Sequence, residues 1–332
     1  MQIVITGATG GLGRNAVDFA CQNGLEVVAI GRNVKALAEL AQPGVTPYRA
    51  DLTQVSADDL LTTLRGAHAV WHCAALSAPW GPAAAFHAAN VEVSRNLFLA
   101  AARAHVPVFV HISTPALYFD FQHQLEISED FRPARYVNHY ARTKAQAEQE
   151  LRKLALEFPG TRLVILRPRA IFGPYDQVLL PRLQRLLVAR KGVLPLPRGG
   201  RTVLDLTYAP NVAHAMWLAT QRECRSGEAF NITNGEPGPL GDALLQLFQT
   251  ELGMPFAIRD VPYPAMAAAA RMLEGISVLT GKEPALTRYS LGALAYDMTL
   301  DISKARDLLG YHPVVSQVEA LRQTAAWIRA HG

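Results

Sequence analysis

Short apolar runs rich in β-branched residues recur through the first half of the chain, at residues 3–5, 27–30, 46–49, 69–72, 108–112 and 163–166. Between them, residues 13–23, 33–41, 58–64, 91–105 and 139–158 carry the wider apolar spacing of helices. Strands that read as continuous apolar runs are buried on both faces, and helical crossovers are what buries them, so the rhythm predicts an α/β fold with a Rossmann-type, doubly wound parallel sheet. Beyond residue 168 the character changes. Pro and Gly crowd residues 195–200 and 235–239, and one more strand-like run intervenes at 229–232. The division that follows is a nucleotide-binding domain of residues 1–167 and 203–232, with a smaller, discontinuous C-terminal substrate domain of residues 168–202 and 233–332.

Composition narrows the classes of partner. At 332 residues, half of them apolar, the chain can build a sizeable core. A net charge of +4 spread along the sequence argues against a nucleic-acid partner. Cys21, Cys73 and Cys224 form no C-x-x-C pair, so neither a disulfide framework nor a metal site is expected. The first apolar run begins at Ile3, and the longest later one, near 265–279, is broken by Arg271 and Glu274. Neither a signal peptide nor a membrane span is expected, and the expected location is cytoplasmic.

The first strand runs into Thr6-Gly7-Ala8-Thr9-Gly10-Gly11-Leu12-Gly13. Glycines at this spacing let the chain turn tightly, approach a pyrophosphate and pack a helix on the sheet, while backbone N–H groups at the helix start face the phosphates. Gly7, Gly10, Leu12 and Gly13 are therefore candidate cofactor contacts. Where a carboxylate would bind the ribose hydroxyls of NAD(H), the second strand ends instead in Gly31-Arg32-Asn33. A guanidinium suits a 2′-phosphate, so Arg32 favours NADP(H), with NAD(H) as the alternative. Asp51-Leu52, after the third strand, can serve the adenine, or Asp51 can simply begin a turn.

Thr114 closes His111-Ile112-Ser113-Thr114 at a strand end, and Tyr140-Ala141-Arg142-Thr143-Lys144 follows in a helical pattern. A Tyr and a Lys four apart share a helix face, and a positive neighbour favours phenolate. In this reading Tyr140 exchanges a proton with the substrate oxygen, Thr114 donates a hydrogen bond to it, and Lys144 tunes Tyr140 and binds the nicotinamide ribose.

Taken together, these residues resemble the extended short-chain dehydrogenase/reductase superfamily along nearly the whole chain. The likeness also includes His72-Cys73-Ala74-Ala75, Asn90-Val91, and Arg167-Pro168 before Ile171-Phe172-Gly173-Pro174. It implies cofactor contacts from Ala74, Ala75 and Pro168, a small-molecule substrate, and a homodimer formed through the helices of residues 91–105 and 139–158.

Within that superfamily, Asp205-Leu206-Thr207-Tyr208, Asn211-Val212-Ala213-His214 and residues 229–234 look like the branch of 3β-hydroxysteroid dehydrogenases, sterol-4-carboxylate 3-dehydrogenases and 2-alkyl-3-oxoalkanoate reductases. The implied activity interconverts a secondary alcohol and a ketone on a bulky apolar substrate, steroid-like or β-keto acid-like. Met266, Met272, Leu273, Ile276, Trp80, Phe86 and Tyr118 are candidates for its pocket. A nucleotide-diphosphate-sugar epimerase or dehydratase is the alternative, but Ala170 and Leu204 stand where such enzymes resemble one another in Asn and Arg. A non-catalytic NADP sensor is the second alternative, and it has no need of Thr114, Tyr140 and Lys144 together.

Overall fold

The computed structural model describes residues 1–176 and 179–331. Its first half alternates as the apolar rhythm requires: β1 (Gln2–Thr6), α1 (Gly11–Gln22), β2 (Glu26–Gly31), α2 (Val34–Ala38), β3 (Val45–Arg49), α3 (Ala57–Leu64), β4 (Ala69–His72), α4 (Ala83–His87), α5 (Val93–Arg103) and β5 (Val108–Ile112). Then come β6 (Gln124–Ile127), α6 (His139–Glu157), β7 (Arg162–Pro168), β8 (Ile171–Phe172), α7 (Leu179–Ala189), β9 (Val193–Leu196), β10 (Val203–Leu204) and β11 (Thr207–Tyr208). The chain closes with α8 (Ala209–Gln221), β12 (Glu228–Ile232), β13 (Gly238–Pro239), α9 (Leu240–Leu245), β14 (Ala257–Asp260), α10 (Tyr263–Thr280), α11 (Arg288–Ala295), β15 (Met298–Leu300) and α12 (Gln317–His331).

Seven strands form one sheet in the order β12-β7-β5-β4-β1-β2-β3, and every neighbouring pair in it is parallel. The order reverses between β1 and β4. In a sheet of this kind, ligands bind outside the carboxyl ends at such a switch point. The strand ends Thr6, Gly31, Arg49, His72, Ile112, Pro168 and Ile232 thus share one edge, and the loops leaving it carry the predicted site residues.

The sheet is buried on both faces. One core includes Ile3, Ile5, Trp71, Val110 and Leu166 with α1 and α8 residues; the other includes Val4, Val70, Phe109 and Ile165 with α3, α5 and α6 residues. Alternate residues of each strand go to opposite cores, as the period of two demands. A third core joins Phe172, Leu194, Leu204, Tyr208, Phe248 and Leu321. Ile302, Ala305, Leu309 and Tyr311 belong to the first core, although they fall in the 233–332 stretch expected to lie with the second domain. Conversely, Leu204 and Tyr208, expected with the nucleotide-binding domain, lie in the third. The chain thus passes between the first and third cores at these residues.

Helix boundaries shift where side chains intervene. The predicted helix of 91–105 is preceded by a π-helical turn, Ala88–Glu92, which carries Asn90 toward the loop after β4. Asn33 caps α2 by accepting from Ala36 N at 3.2 Å, and the helix runs only to Ala38. No helix among the described residues is long and apolar enough to cross a membrane.

Candidate active site

The glycine turn is a cradle with no room for side chains. Gly7 has φ of 66°, in the left-handed region, and a Cβ there would stand 2.8 Å from Ala74 N. A Cβ on Gly13 would stand 2.1 Å from Gly7 O, where the first turn of α1 presses on the strand end. Gly10 N donates to Gly7 O at 2.9 Å, closing the turn. The positive end of α1 therefore opens onto the carboxyl edge with backbone on all sides, which fits the pyrophosphate of a dinucleotide. Replacing Gly13 by Ala must move backbone rather than a flexible side chain. The expected result is a lowered melting temperature together with a dinucleotide dissociation constant raised at least about tenfold, read by thermal unfolding and by titration with NADP+.

Across the switch point, a chain of buried hydrogen bonds fixes the loop that carries Ala74 and Ala75. Ser94 Oγ donates to Asn90 O at 2.7 Å, so it accepts from His72 Nε2 at 2.9 Å. His72 Nδ1 is then the acceptor for Thr6 Oγ1 at 2.7 Å, and Thr6 Oγ1 accepts from Ala74 N at 3.3 Å. The bond directions leave His72 neutral, in keeping with burial, and next the Lys144 charge, pushing its pKa down to about 3. Asn90 completes the anchorage: its Oδ1 accepts from Leu76 N at 2.8 Å, and its Nδ2 donates to Leu76 O at 3.2 Å and Thr143 Oγ1 at 3.1 Å. The loop is thereby tied to both β1 and α6.

On α6, Asn138 caps the first turn by accepting from Ala141 N at 2.8 Å, and Tyr140 and Lys144 follow one turn apart. Lys144 is 1% exposed. Its Nζ donates to Ile112 O at 2.5 Å and lies 3.2 Å from His111 Nε2. Its hydrogen bonds among the described residues thus go to the end of β5, not to the phenol expected to receive its influence. Burial pushes the Lys144 pKa down to about 8, against the opposing pull of Glu148 and Cys73, so the group is still mostly an ammonium at neutral pH. With Nε2 of His111 facing that ammonium, Nδ1 carries the ring proton, and it is buried without a partner among the described residues.

Thr114 and Ser113, adjacent in sequence, are separated by what they bond. Ser113 Oγ donates to Glu148 Oε1 at 2.6 Å and is committed to the interior. Thr114 Oγ1 accepts from Ala116 N at 3.1 Å, which leaves its hydrogen free to be donated.

Residues 3–233 match the NAD dependent epimerase/dehydratase family. The chain belongs to that family. Among its relatives, the uncharacterized protein YbjS of Escherichia coli is 44% identical over 335 residues, covering 100% of this chain and 99% of its own. A 2-alkyl-3-oxoalkanoate reductase of Stenotrophomonas maltophilia is 34% identical over 342 residues, covering 98% and 99%. The solved UDP-glucuronic acid 4-epimerase of Bacillus cereus, with UDP-glucuronic acid and NAD, superposes with a TM-score of 0.78 at 22% identity over 99% of each chain. The expected superfamily and fold class are met, as is nicotinamide-dependent chemistry at CH–OH carbons as the family's class of reaction.

In this member of the epimerase/dehydratase family, the loops after β2 and β3 carry Arg32 and Asp51 near one another. Arg32 is exposed at the end of β2 and makes no ion pair among the described residues. Asp51 Oδ1 accepts from Thr53 N at 3.0 Å and Thr53 Oγ1 at 2.7 Å, a turn that holds its carboxyl below the usual range, with a smaller pull from Arg32. Arg14, just past the glycine turn, pairs with Glu39 at 2.8 Å and lies over the Tyr175 ring.

The apolar pocket candidates fare unevenly. Phe86 and Tyr118 are buried, at 1% and 0% exposure, and Tyr118 OH donates to Asn231 Oδ1 at 2.9 Å as part of the interior. Met272 and Ile276 are exposed on α10. The aromatic wall at the site is built from other residues. Tyr289, from α11, lies beside Tyr140 electrostatically, and its ring centroid is 5.8 Å from that of Phe119. Burial, then the nearby Tyr140, push the Tyr289 pKa up to about 12. Tyr289 and its neighbour Arg169 escape sequence reading; for Arg169 the available signal was a third basic or rigid residue, Arg167-Pro168-Arg169, running on directly past a core strand.

Proposed function

We propose that the protein is an NADP(H)-dependent reductase that interconverts a ketone and a secondary alcohol on a bulky apolar substrate. The observation that supports this reading is that Lys144, one turn past Tyr140 on α6, bonds to Ile112 O at the carboxyl end of β5, two residues before Thr114. When bound, the dinucleotide supplies or accepts the hydride. Gly7, Gly10, Leu12 and Gly13 would hold its pyrophosphate; Ala74, Ala75 and Pro168 would bound its nicotinamide half; and Arg32, Asp51 and Leu52 would bound the adenosine. Tyr140 OH gives its proton to the substrate oxygen in reduction and takes it back in oxidation. Thr114 Oγ1 donates a hydrogen bond to the same oxygen, and the Lys144 ammonium, fixed by Ile112 O, keeps positive charge near the phenol.

A reductase is favoured over a nucleotide-sugar epimerase by two positions. Ala170 adopts φ of 44°, a left-handed conformation that Asn tolerates and Ala does not favour, yet it carries no amide to offer a sugar. Leu204, 5% exposed, is sealed in the third core. The named activity of the Stenotrophomonas relative points the same way. The test is NADPH consumption against bulky ketones and 3-oxo acids, with UDP- and dTDP-sugars beside them; sugar conversion without NADPH loss overturns the reading. In the same assay, Arg32→Asp is expected to lower the preference for NADP(H) over NAD(H) about 10- to 100-fold, and an unchanged preference removes Arg32 from the 2′-phosphate. We also propose a homodimer through α5 and α6, to be checked by solution mass.

A further inference from the structure

Two arginines leave the end of β7 with opposite fates. Arg167 has its donors engaged by Glu148, Tyr118 OH and Glu129 O. Arg169 has none engaged: among the described residues its guanidinium makes no hydrogen bond or ion pair, and its Nε is sealed from solvent without a partner. Its backbone is held firmly. Arg169 N donates to Ile232 O at 3.1 Å, and its carbonyl accepts from Thr207 Oγ1. The side chain is therefore placed by the sheet, not by a mobile loop.

Its surroundings are those of the reacting centre. Arg169 directly follows the carboxyl end of β7, and Tyr289 interacts electrostatically with both Arg169 and Tyr140. Asp205 is the other charged neighbour, but its Oδ2 accepts from Leu300 N at 2.8 Å and the Thr233 side chain also bonds it. Its carboxylate is turned to β15 and does not close on Arg169. Buried donors are nearly always satisfied, and a sealed, unpaired Nε on a half-buried arginine at the carboxyl edge of the sheet points to a ligand that satisfies it. A planar fork of N–H donors is the natural partner of a carboxylate.

We propose that Arg169 is the anchor for a substrate carboxylate, so that the enzyme acts on keto acids whose ketone reaches Tyr140 while the acid group pairs with Arg169. The proposal rests on the reductase reading and decides within it, for an acidic substrate over a neutral steroid-like one.

The test compares a freshly saponified 2-alkyl-3-oxoalkanoate with its methyl ester, using wild type, Arg169→Met and Arg169→Lys with NADPH. Wild type is expected to prefer the acid by about 10- to 100-fold in kcat/KM. Arg169→Met is expected to lose that factor on the acid, mostly in KM, with the ester within about threefold of wild type; Arg169→Lys recovers part of the loss. Equal use of acid and ester by wild type, or equal losses on both in Arg169→Met, overturns the anchor. A calorimetric titration with decanoate in the presence of NADP+ needs no turnover: binding that Arg169→Met abolishes while NADP+ affinity stays unchanged supports the anchor even if the reductase reading fails. Decanoate binding that is absent or unaffected by the substitution, or NADP+ affinity lost with Arg169, overturns it.

Discussion

Tyr140→Phe is expected to lower turnover about 10²- to 10⁴-fold while leaving the fold and NADP+ binding intact. The change removes one hydroxyl from a half-buried side chain near the start of α6, and no hydrogen bond of the interior depends on it among the described residues. Steady-state NADPH oxidation, thermal unfolding and NADP+ titration on the same preparation separate chemistry from folding and binding. The rival donor is Tyr289, whose phenol stands beside Tyr140 and whose pKa burial pushes up to about 12. A phenol that holds its proton so tightly is a poor acid at neutral pH, so Tyr289→Phe should leave far more activity than Tyr140→Phe. If Tyr140→Phe turns over normally and Tyr289→Phe does not, the roles are reversed.

How much of this was legible in the sequence depends on the distance over which each feature is determined. The parallel sheet was legible because strands buried on both faces read as unbroken apolar runs and each lies close to its crossover helix. The glycine cradle was legible because Gly7, Gly10 and Gly13 lie within one turn and helix start. The tie between Thr6, His72, Ser94 and Ala74 was not, since each residue alone is an ordinary polar side chain and only the parallel pairing of β1 with β4 brings Thr6 opposite His72. Strands of two residues, such as β8 and β11, are too short for any period to show. Arg169, Tyr289 and Asp205 come from three distant stretches, and what distinguishes Arg169, donors without acceptors, is a property of its surroundings. Lys144 shows the intermediate case: its spacing from Tyr140 was readable, but its bond to Ile112 O was not.

The largest stability effect is expected at the ion pair beneath that site. Arg167 and Glu148 are 1% and 2% exposed. Arg167 Nε donates to Glu148 Oε1 at 2.8 Å and Nη2 to Oε2, while Nη1 reaches Tyr118 OH at 2.5 Å and Glu129 O at 2.9 Å. Arg152 adds a second cation 3.1 Å from Glu148 Oε2. Burial alone would push the Glu148 carboxyl up; the Arg167 and Arg152 charges and the Ser113 hydroxyl hold it below the usual range. Its contribution is accordingly present above the ordinary carboxyl range and is lost as acid titrates the folded carboxylate. Removing Glu148 leaves Arg167 charged and uncompensated in the interior, and removing Arg167 leaves buried Glu148 with only the more exposed Arg152 and Ser113, so Glu148→Leu is expected to destabilise by about 3–5 kcal/mol in urea unfolding and Arg167→Met by about 2–5 kcal/mol. The double variant should be less destabilised than the sum of the two by at least about 2 kcal/mol, because it strands no charge. Simple additivity would mean that the two groups do not act as a unit. Glu148 sits one turn past Lys144 and holds Ser113 beside Thr114, so the same pair fixes α6 against the ends of β5 and β7. Activity should therefore fall in either single variant even at temperatures where it remains folded, and recover in part in the double one, where the strand end and the helix can pack again without an unpaired charge between them.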